Sequence, residues 1–248
     1  MKKILTMFVL IFVAILVGAI LFIILIKFNY NSVFGKDLRS WVLRFPEVVT
    51  LLNLNQPGDN RMVYLSTRYE PLKVSIFYVK DMKPEDEMTS WLADTISETT
   101  GKVSQISPPV YLSSQLKEYY TDADLNTIRK SLPDTLPAPA ELQVVYLPIY
   151  EEDPTYLGVT LHRDTIFIFK KQLLSFQERP AVLKLLERST LMHEWGHLLG
   201  LGHVKFPGCI MSKDVEIYPN RWLKEAEVPV SHCQDTFFDL KALQQIYQ

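Results

Sequence analysis

The segment HEWGHLLGLGH, residues His193–His203, contains three of the five histidines in the chain. Glu194 is the only other ionisable residue in the segment, and most of the remaining residues are apolar. Ionisable side chains are costly to bury unless they are paired or bind a metal. The segment is therefore either an unusually polar piece of core or a binding site.

The spacing of these histidines suits a metal ion. Residues four apart on a helix share one face, so His193 and His197 can both reach one ion. Gly200 allows the chain to turn after the helix, and His203 can then return as a third ligand. Three neutral imidazoles and a water form a catalytic zinc site. The segment thus predicts one Zn²⁺ ion held by three histidines, with Glu194 as the general base that takes a proton from the water.

The same segment resembles the zinc signature H-E-x-x-H-x-x-G-x-x-H of the metzincin clan of metallopeptidases. The resemblance covers roughly residues 70–248. It implies a metzincin-like zincin fold of the α+β class: a mixed twisted sheet, an active-site helix, a methionine turn under the metal and a C-terminal helix. Met211, in GCIMS, stands at a suitable distance after His203 to be that methionine. The implied activity is hydrolysis of peptide bonds by zinc-activated water.

Within the clan, the cysteines favour one family over another. Matrixins usually carry a cysteine in a propeptide, whereas both cysteines here follow the zinc motif. The chain looks closer to archaemetzincins, in which four cysteines bind a second zinc. Val204 and Thr236 stand where two of those cysteines are expected, and Cys209 and Cys233 remain. Two cysteines cannot form a four-thiolate site. The resemblance therefore implies a disulfide between them, although composition alone leaves two free thiols equally open.

Two further expectations rest on the resemblance alone. Some metzincins use a tyrosine after the methionine turn near the zinc or the transition state, and Tyr218 is the candidate here. In the clan, the strand before the zinc helix forms the upper rim of the cleft. TIFIFK, residues 165–170, is the candidate for that rim, as an edge strand that would pair with extended substrate.

The rest of the chain mixes strand-like and helix-like patterns in an order that predicts an α+β fold. Runs rich in β-branched and aromatic residues indicate strands, and apolar residues spaced three or four apart indicate helices. The predicted strands are 72–79, 101–107, 142–150 and 164–171, and the predicted helices are 84–100, 120–132, 180–200 and 236–248. The turn-forming cluster NQPGDN at 55–60 predicts that the main domain starts near Arg61.

The amino-terminal region is strongly apolar. Residues 4–26 carry no charge, and Thr6 is the only polar side chain among them. At about 1.5 Å per residue this run is long enough to cross a bilayer, and it lacks the cleavage site of a signal peptide. The sequence therefore predicts a transmembrane signal anchor at 1–28, a juxtamembrane segment at 29–60 and a catalytic domain at 61–248.

Positive charges indicate the orientation of the anchor. Lys2, Lys3 and the α-amino group precede the span closely, whereas the basic residues after it are more widely spaced. This bias predicts a cytoplasmic N-terminus and an extracytoplasmic catalytic domain, a compartment in which a disulfide can form. Residues 37–60 are expected to be an amphipathic spacer, and the alternative is a latency segment that covers the cleft.

The expected function is that of a membrane-anchored zinc endopeptidase. Its expected partners are a peptide or protein substrate and the membrane, bound through residues 4–26. A net charge of −2, without a basic stripe or a glycine-rich phosphate loop, indicates no nucleic-acid partner. Two alternatives remain open: a catalytically silent protein that uses the fold for binding, and a zinc hydrolase that acts on a non-peptide bond.

Overall fold

The computed structural model describes residues 2–28, 33–113, 116–133, 140–175, 180–215 and 224–247. The chain divides into two compact units, Met1–Leu54 and Asn55–Gln248, which are named unit 1 and unit 2.

Unit 1 is helical in its described residues. Its helices are α1 (Lys2–Phe28), α2 (Val33–Val42) and α3 (Pro46–Leu51). Within α1, the 22 residues Thr6–Lys27 are long and apolar enough to cross a membrane, by length and composition only. The apolar helix predicted at the N-terminus is therefore present.

A small core joins α2 and α3 to the end of α1. Ile26, in the last turn of α1, is completely buried against an apolar cluster that includes Val42 and Val49. Arg39 Nη1 donates a hydrogen bond of 2.6 Å to the backbone oxygen of Ile26. Pro46 begins α3, a position where its missing N–H costs nothing.

Unit 2 contains the remaining helices and all strands of the described residues. Its helices are α4 (Arg61–Leu65), α5 (Asp86–Thr100), α6 (Asp122–Ser131), α7 (Lys170–Leu174), α8 (Pro180–Leu198) and α9 (Gln234–Tyr247). Its strands are β1 (Leu72–Tyr78), β2 (Ser104–Ile106), β3 (Val110–Tyr111), β4 (Tyr119–Tyr120), β5 (Glu141–Leu147), β6 (Ile149–Tyr150), β7 (Gly158–Val159) and β8 (Thr165–Phe169). This mixture of helices and strands confirms the α+β class.

The main sheet has the order β2-β1-β5-β8-β7, and β3 also pairs with β1. All of these pairs are parallel except β7 with β8, which is antiparallel. The central strands β5 and β8 are buried along almost their whole length. Such burial on both faces explains why their sequences read as continuous apolar runs rather than as alternating patterns.

The predicted rim strand is wrong. TIFIFK contains β8, whose five residues Thr165–Phe169 are all buried. β8 lies between β5 on one side and β7 on the other, so its backbone is already paired on both sides. The edge of the sheet next to β8 is instead β7, Gly158–Val159. A two-residue strand has too little alternating pattern to be read from sequence, so the sequence indicates β8 but not its neighbour β7.

Unit 2 starts at Asn55, and the start of the catalytic domain at Arg61 stays a prediction. The first residues of unit 2, the turn-forming cluster 55–60, contact other parts of the unit. Asn55 Nδ2 donates a hydrogen bond of 2.9 Å to His162 Nδ1. Gly58 packs against Gly200, because a Cβ at position 58 would lie 3.0 Å from Gly200 Cα. The turn at 55–60 therefore packs within unit 2.

Helix α8 runs through the middle of unit 2. Pro180 occupies its first turn, and Gly200 follows its end with φ +89°, in the left-handed region that glycine favours. α8 packs on β7 and β8 and on the helices α5 and α7. Lys170 Nζ of α7 forms a buried ion pair of 2.5 Å with Glu187 of α8. These contacts fix the helix that carries the histidine motif.

Candidate metal centre

The three histidines of the motif converge on one point. The Nε2 atoms are 3.0 Å apart for His193 and His197, 3.1 Å apart for His197 and His203, and 3.2 Å apart for His193 and His203. The first two imidazoles lie one turn apart on α8. The third comes from the loop after Gly200, where the left-handed turn reverses the chain. The structure thus brings the three predicted ligands together.

The backbone around this cluster determines which nitrogen of each ring faces the centre. His193 Nδ1 lies 2.7 Å from the backbone oxygen of Ile210, and His197 Nδ1 lies 3.0 Å from that of Leu201. A carbonyl oxygen only accepts, so Nδ1 carries the proton in both rings, as assigned from these hydrogen bonds. In a neutral imidazole the Nε2 atom then presents a lone pair. Two lone pairs 3.0 Å apart repel each other unless a cation lies between them.

The dimensions of the cluster fit Zn²⁺. Tetrahedral zinc with Zn–N bonds of about 2.0–2.1 Å holds its nitrogen ligands about 3.3 Å apart. The observed separations of 3.0–3.2 Å agree to within a few tenths of an ångström. His193 is buried, His197 is half-buried and His203 is exposed. The cluster is therefore closed by protein on one side and open to solvent on the other, where a water and a substrate can approach.

Glu194 lies beside the cluster and against the sheet edge. Its side chain is only 2% exposed. A Cβ at position 158 would lie 2.5 Å from Thr190 Cγ2 and 3.2 Å from Glu194 Cγ, so only glycine allows β7 to come this close to α8. Thr160 Oγ1 donates a hydrogen bond of 3.4 Å to the backbone oxygen of Glu194. Sequence reasoning missed Gly158, whose signal was an isolated glycine in the apolar segment YLGVTL.

Met211 packs against α8 next to the second ligand. A Cβ at Gly196 would lie 2.4 Å from Met211 Sδ, so the sulfur fills the space that the glycine leaves. Met211 is completely buried, and its backbone oxygen accepts a hydrogen bond of 2.9 Å from the Val204 N–H. This bond closes the loop that follows His203. Met211 thus supports both the helix and the loop that supply the three histidines.

Cys209 and Cys233 form a disulfide. Cys209 precedes Ile210, whose backbone oxygen orients His193, and Cys233 precedes α9. Thr236 Oγ1 lies 3.5 Å from both sulfurs. Thr236 therefore lies beside this bridge. The disulfide links the segment under the histidines to the C-terminal helix.

A second contact supports the turn after α8. Arg61 Nε donates a hydrogen bond of 2.9 Å to Tyr247 Oη. A Cβ at Gly200 would lie 3.2 Å from Arg61 Cδ, so Arg61 covers the turn from which His203 departs. With Gly58, which contacts the same turn, Arg61 forms a support that sequence reasoning missed. Gly58 and Arg61 lie too far from Gly200 in the chain for a local sequence pattern to reveal these contacts.

An aromatic pair fills the space behind the motif. Trp195 packs edge-on against Tyr64, with ring centroids 5.0 Å apart. Tyr64 is completely buried, and burial raises the pKa of its phenol well above the usual value. The neutral hydroxyl lies 3.3 Å from the backbone oxygens of both Glu141 and Arg163, which share its single proton. This pair anchors α8 to β5 on the side away from the metal ligands.

Tyr218, the candidate for a role near the transition state, lies outside the described residues. Its role stays a prediction.

These features define a zinc hydrolase site on a mixed α+β domain. Residues 123–205 match the model of a family described as zincin-like metallopeptidase. The matched range contains all three histidines and Glu194. The match and the arrangement of the histidines together support a zinc metallopeptidase, with zinc as its cofactor.

Three solved structures are similar to this chain. Archaemetzincin from Methanopyrus kandleri is similar with a TM-score of 0.53 at 15% identity, covering 70% of this chain and 96% of that chain. Archaemetzincin from Archaeoglobus fulgidus, complexed with malonate, has a TM-score of 0.46 at 16% identity, covering 67% and 98%. A zinc-dependent peptidase from Methanocorpusculum labreanum has a TM-score of 0.47 at 15% identity, covering 67% and 99%. No curated protein matches the chain. At these identities the likeness is one of fold.

Proposed function

We propose that this chain is a membrane-anchored, zinc-dependent endopeptidase of the metzincin type. His193, His197 and His203 would hold a single Zn²⁺ ion. The observation that carries the proposal is the convergence of the three Nε2 atoms, which lie 3.0–3.2 Å from one another. A site with three nitrogen ligands leaves a fourth position for water, which is typical of catalytic rather than structural zinc.

Zinc held there would lower the pKa of a bound water to about 7 and polarise the scissile carbonyl. Glu194 follows the first ligand on α8, so the helix holds its carboxylate in a fixed relation to His193. In the proposal, Glu194 takes the proton from the attacking water and passes it to the leaving amine. Its contact with Gly158 keeps it beside the sheet edge.

The substrate would lie along β7. Among the described residues, β7 pairs with β8 on one side and forms the edge of the main sheet on the other. The edge strand of a sheet offers backbone N–H and C=O groups to an extended peptide. Gly158 brings this edge against Thr190 and Glu194. A peptide paired with β7 would therefore run past the general base, which favours a peptide substrate over a non-peptide one.

Two observations support the proposed location. The apolar stretch Thr6–Lys27 has the length of a membrane span, and basic residues precede it closely. The bond between Cys209 and Cys233 is typical of a domain in an oxidising compartment. We therefore place the N-terminus in the cytoplasm and unit 2 outside it.

The proposal can be tested with the full chain in lipid nanodiscs, loaded with zinc and incubated with a mixed peptide library read by mass spectrometry. We expect cleavage at defined sites, and Glu194→Gln should reduce it by about 10²–10⁴-fold while leaving bound zinc unchanged. Glu152→Gln, at an exposed carboxylate, is the matched control and should cleave like the wild type. Equal cleavage by the wild type and the Glu194 variant would show that Glu194 is not the general base. A zinc-loaded wild type that cleaves no peptide would favour a binding protein or a non-peptide hydrolase.

A further inference from the structure

Unit 1 exposes an aromatic patch next to the end of α1. Trp41 is 54% exposed and Phe45 is 42% exposed, and their ring centroids lie 5.2 Å apart. Arg44, between them in sequence, is also exposed. We name these three residues the α2 patch. Large aromatic side chains that stay together at a surface indicate an interaction site.

Contacts within unit 1 fix the position of the α2 patch along the axis of α1. Arg39, two residues before Trp41, donates its hydrogen bond to the backbone oxygen of Ile26. Ile26 is completely buried by α2 and α3, and it is the last apolar residue before Lys27 ends the apolar stretch. The α2 patch is therefore held level with the end of the apolar part of α1.

That level coincides with the surface of a bilayer. The 22 residues Thr6–Lys27 extend over about 33 Å, close to the thickness of about 30 Å of a hydrocarbon core. If α1 spans the membrane, its last turn lies among the lipid headgroups. Tryptophan and other aromatic side chains are favoured at that depth, and an arginine there can meet lipid phosphates. The composition of the α2 patch fits this environment.

We propose that the α2 patch is a membrane-binding surface that lies in the interfacial region of the bilayer. Trp41 and Phe45 would lie among the ends of the acyl chains, and Arg44 at the phosphates. Leu51 of α3, which is 82% exposed, would be a second apolar contact. The inference rests on the proposed membrane anchoring. It makes α2 and α3 part of the anchor rather than a spacer in water or a cover for the active site.

The test measures the depth of single nitroxide labels on the full chain in phosphatidylcholine nanodiscs. Cys209 and Cys233 are joined, so an introduced cysteine is the one thiol available for labelling. Trp41→Cys reports the α2 patch, Ile15→Cys reports the middle of α1, and Asp94→Cys reports an exposed site on α5. Collision rates with oxygen, which concentrates in lipid, and with a water-soluble nickel chelate give the depth of each label.

We expect the oxygen-to-nickel ratio at position 41 to be several-fold higher than at position 94 and lower than at position 15. A water-like ratio at position 41 with a high ratio at position 15 would overturn the membrane-binding patch and leave the anchor intact. A water-like ratio at position 15 would remove the anchor itself, without bearing on peptide cleavage. Low collision rates with both reagents at position 41 would show that protein covers the patch, and would also overturn the proposal.

Trp41→Cys removes one side of an aromatic pair and could disturb unit 1. Leu51→Cys is therefore measured beside it, since Leu51 is the most exposed apolar side chain of α3 and its loss removes little packing. An interfacial ratio at position 51 supports the inference independently, and a water-like ratio there contradicts the contact assigned to α3.

Discussion

The two halves of α8 are held in place by different means. In the first half, Pro180–Ser189, most side chains are exposed or half-buried, and charged residues make the specific contacts. In the second half, Thr190–Leu198, seven of the nine side chains are buried. There, contacts at two glycines take the place of ion pairs. β7 approaches α8 closely at Gly158, and Met211 approaches α8 closely at Gly196.

Along this one helix, the contacts of the first half serve stability, and those of the second half position the groups of the site. Ion pairs between long side chains fix the first half without demanding precise shape. Contacts at a glycine allow little movement. They can therefore fix the position of a helix relative to the sheet edge to within a fraction of an ångström. A reacting group needs that precision, because a displacement of about 1 Å can cost about 10²-fold in rate. Changes in the first half should therefore alter unfolding, and changes in the second half should alter catalysis.

The largest effect on stability is expected for the buried pair of Lys170 and Glu187. Glu187→Met would leave the buried Lys170 ammonium without its carboxylate partner and should lower the free energy of unfolding by about 3–5 kcal/mol. The double variant Lys170→Met with Glu187→Met should recover most of that loss, because it leaves no buried charge. Urea unfolding of the three proteins measures both values. Equal losses in the single and double variants would contradict this account of the first half.

A change in the second half of α8 should alter catalysis rather than unfolding. Gly158→Ala places a methyl group 2.5 Å from Thr190 Cγ2, so β7 or α8 must shift. We expect peptide cleavage to fall by about 10–100-fold with zinc retained. Gly18→Ala, where no atom lies within 4 Å of the added carbon, is the matched control. Unchanged cleavage by Gly158→Ala would show that the glycine contact does not position Glu194.

The smallest effect is expected at the surface pairs of the first half. Glu87 accepts hydrogen bonds from Lys184 and Arg188, and the Lys184 ammonium holds the pKa of Glu87 below its usual value of 4.5. A lowered carboxyl pKa stabilises the fold above pH 4.5, and the gain is lost as the pH falls through the folded-state value. Glu87→Gln should shift the melting temperature only slightly at pH 7, and not at all in 1 M salt. A large shift in the melting temperature would mean that this surface pair stabilises the fold about as much as the buried pair of Lys170 and Glu187.

The metal site was predictable from sequence because it is local. Two ligands and Glu194 lie on one helical turn, and the third ligand follows after a single glycine turn. Helical geometry and one glycine turn therefore place them together. The supports of the site are not local. Gly158, Gly58 and Arg61 approach α8 from distant parts of the chain, and no pattern within the motif indicates them.

The sheet edge could not be predicted for a related reason. The apolar run of β8 identifies a buried strand, but which strand lies outside it depends on pairing across the sheet. β7 has only two residues, and its glycine lowers its strand propensity. The contacts of the cluster 55–60 could not be predicted either, because a turn-forming sequence reads as a linker, whereas here Gly58 packs on the turn at Gly200.

The central claim is that the histidine cluster binds one zinc ion. The most direct test is the zinc content of the full chain after dialysis against a mild chelator, for the wild type, His203→Ala and the control His232→Gln outside the motif. We predict one zinc per chain in the wild type and the control, and loss of zinc in His203→Ala. A folded wild type without zinc, or a His203→Ala protein that keeps its full zinc content, would contradict the account.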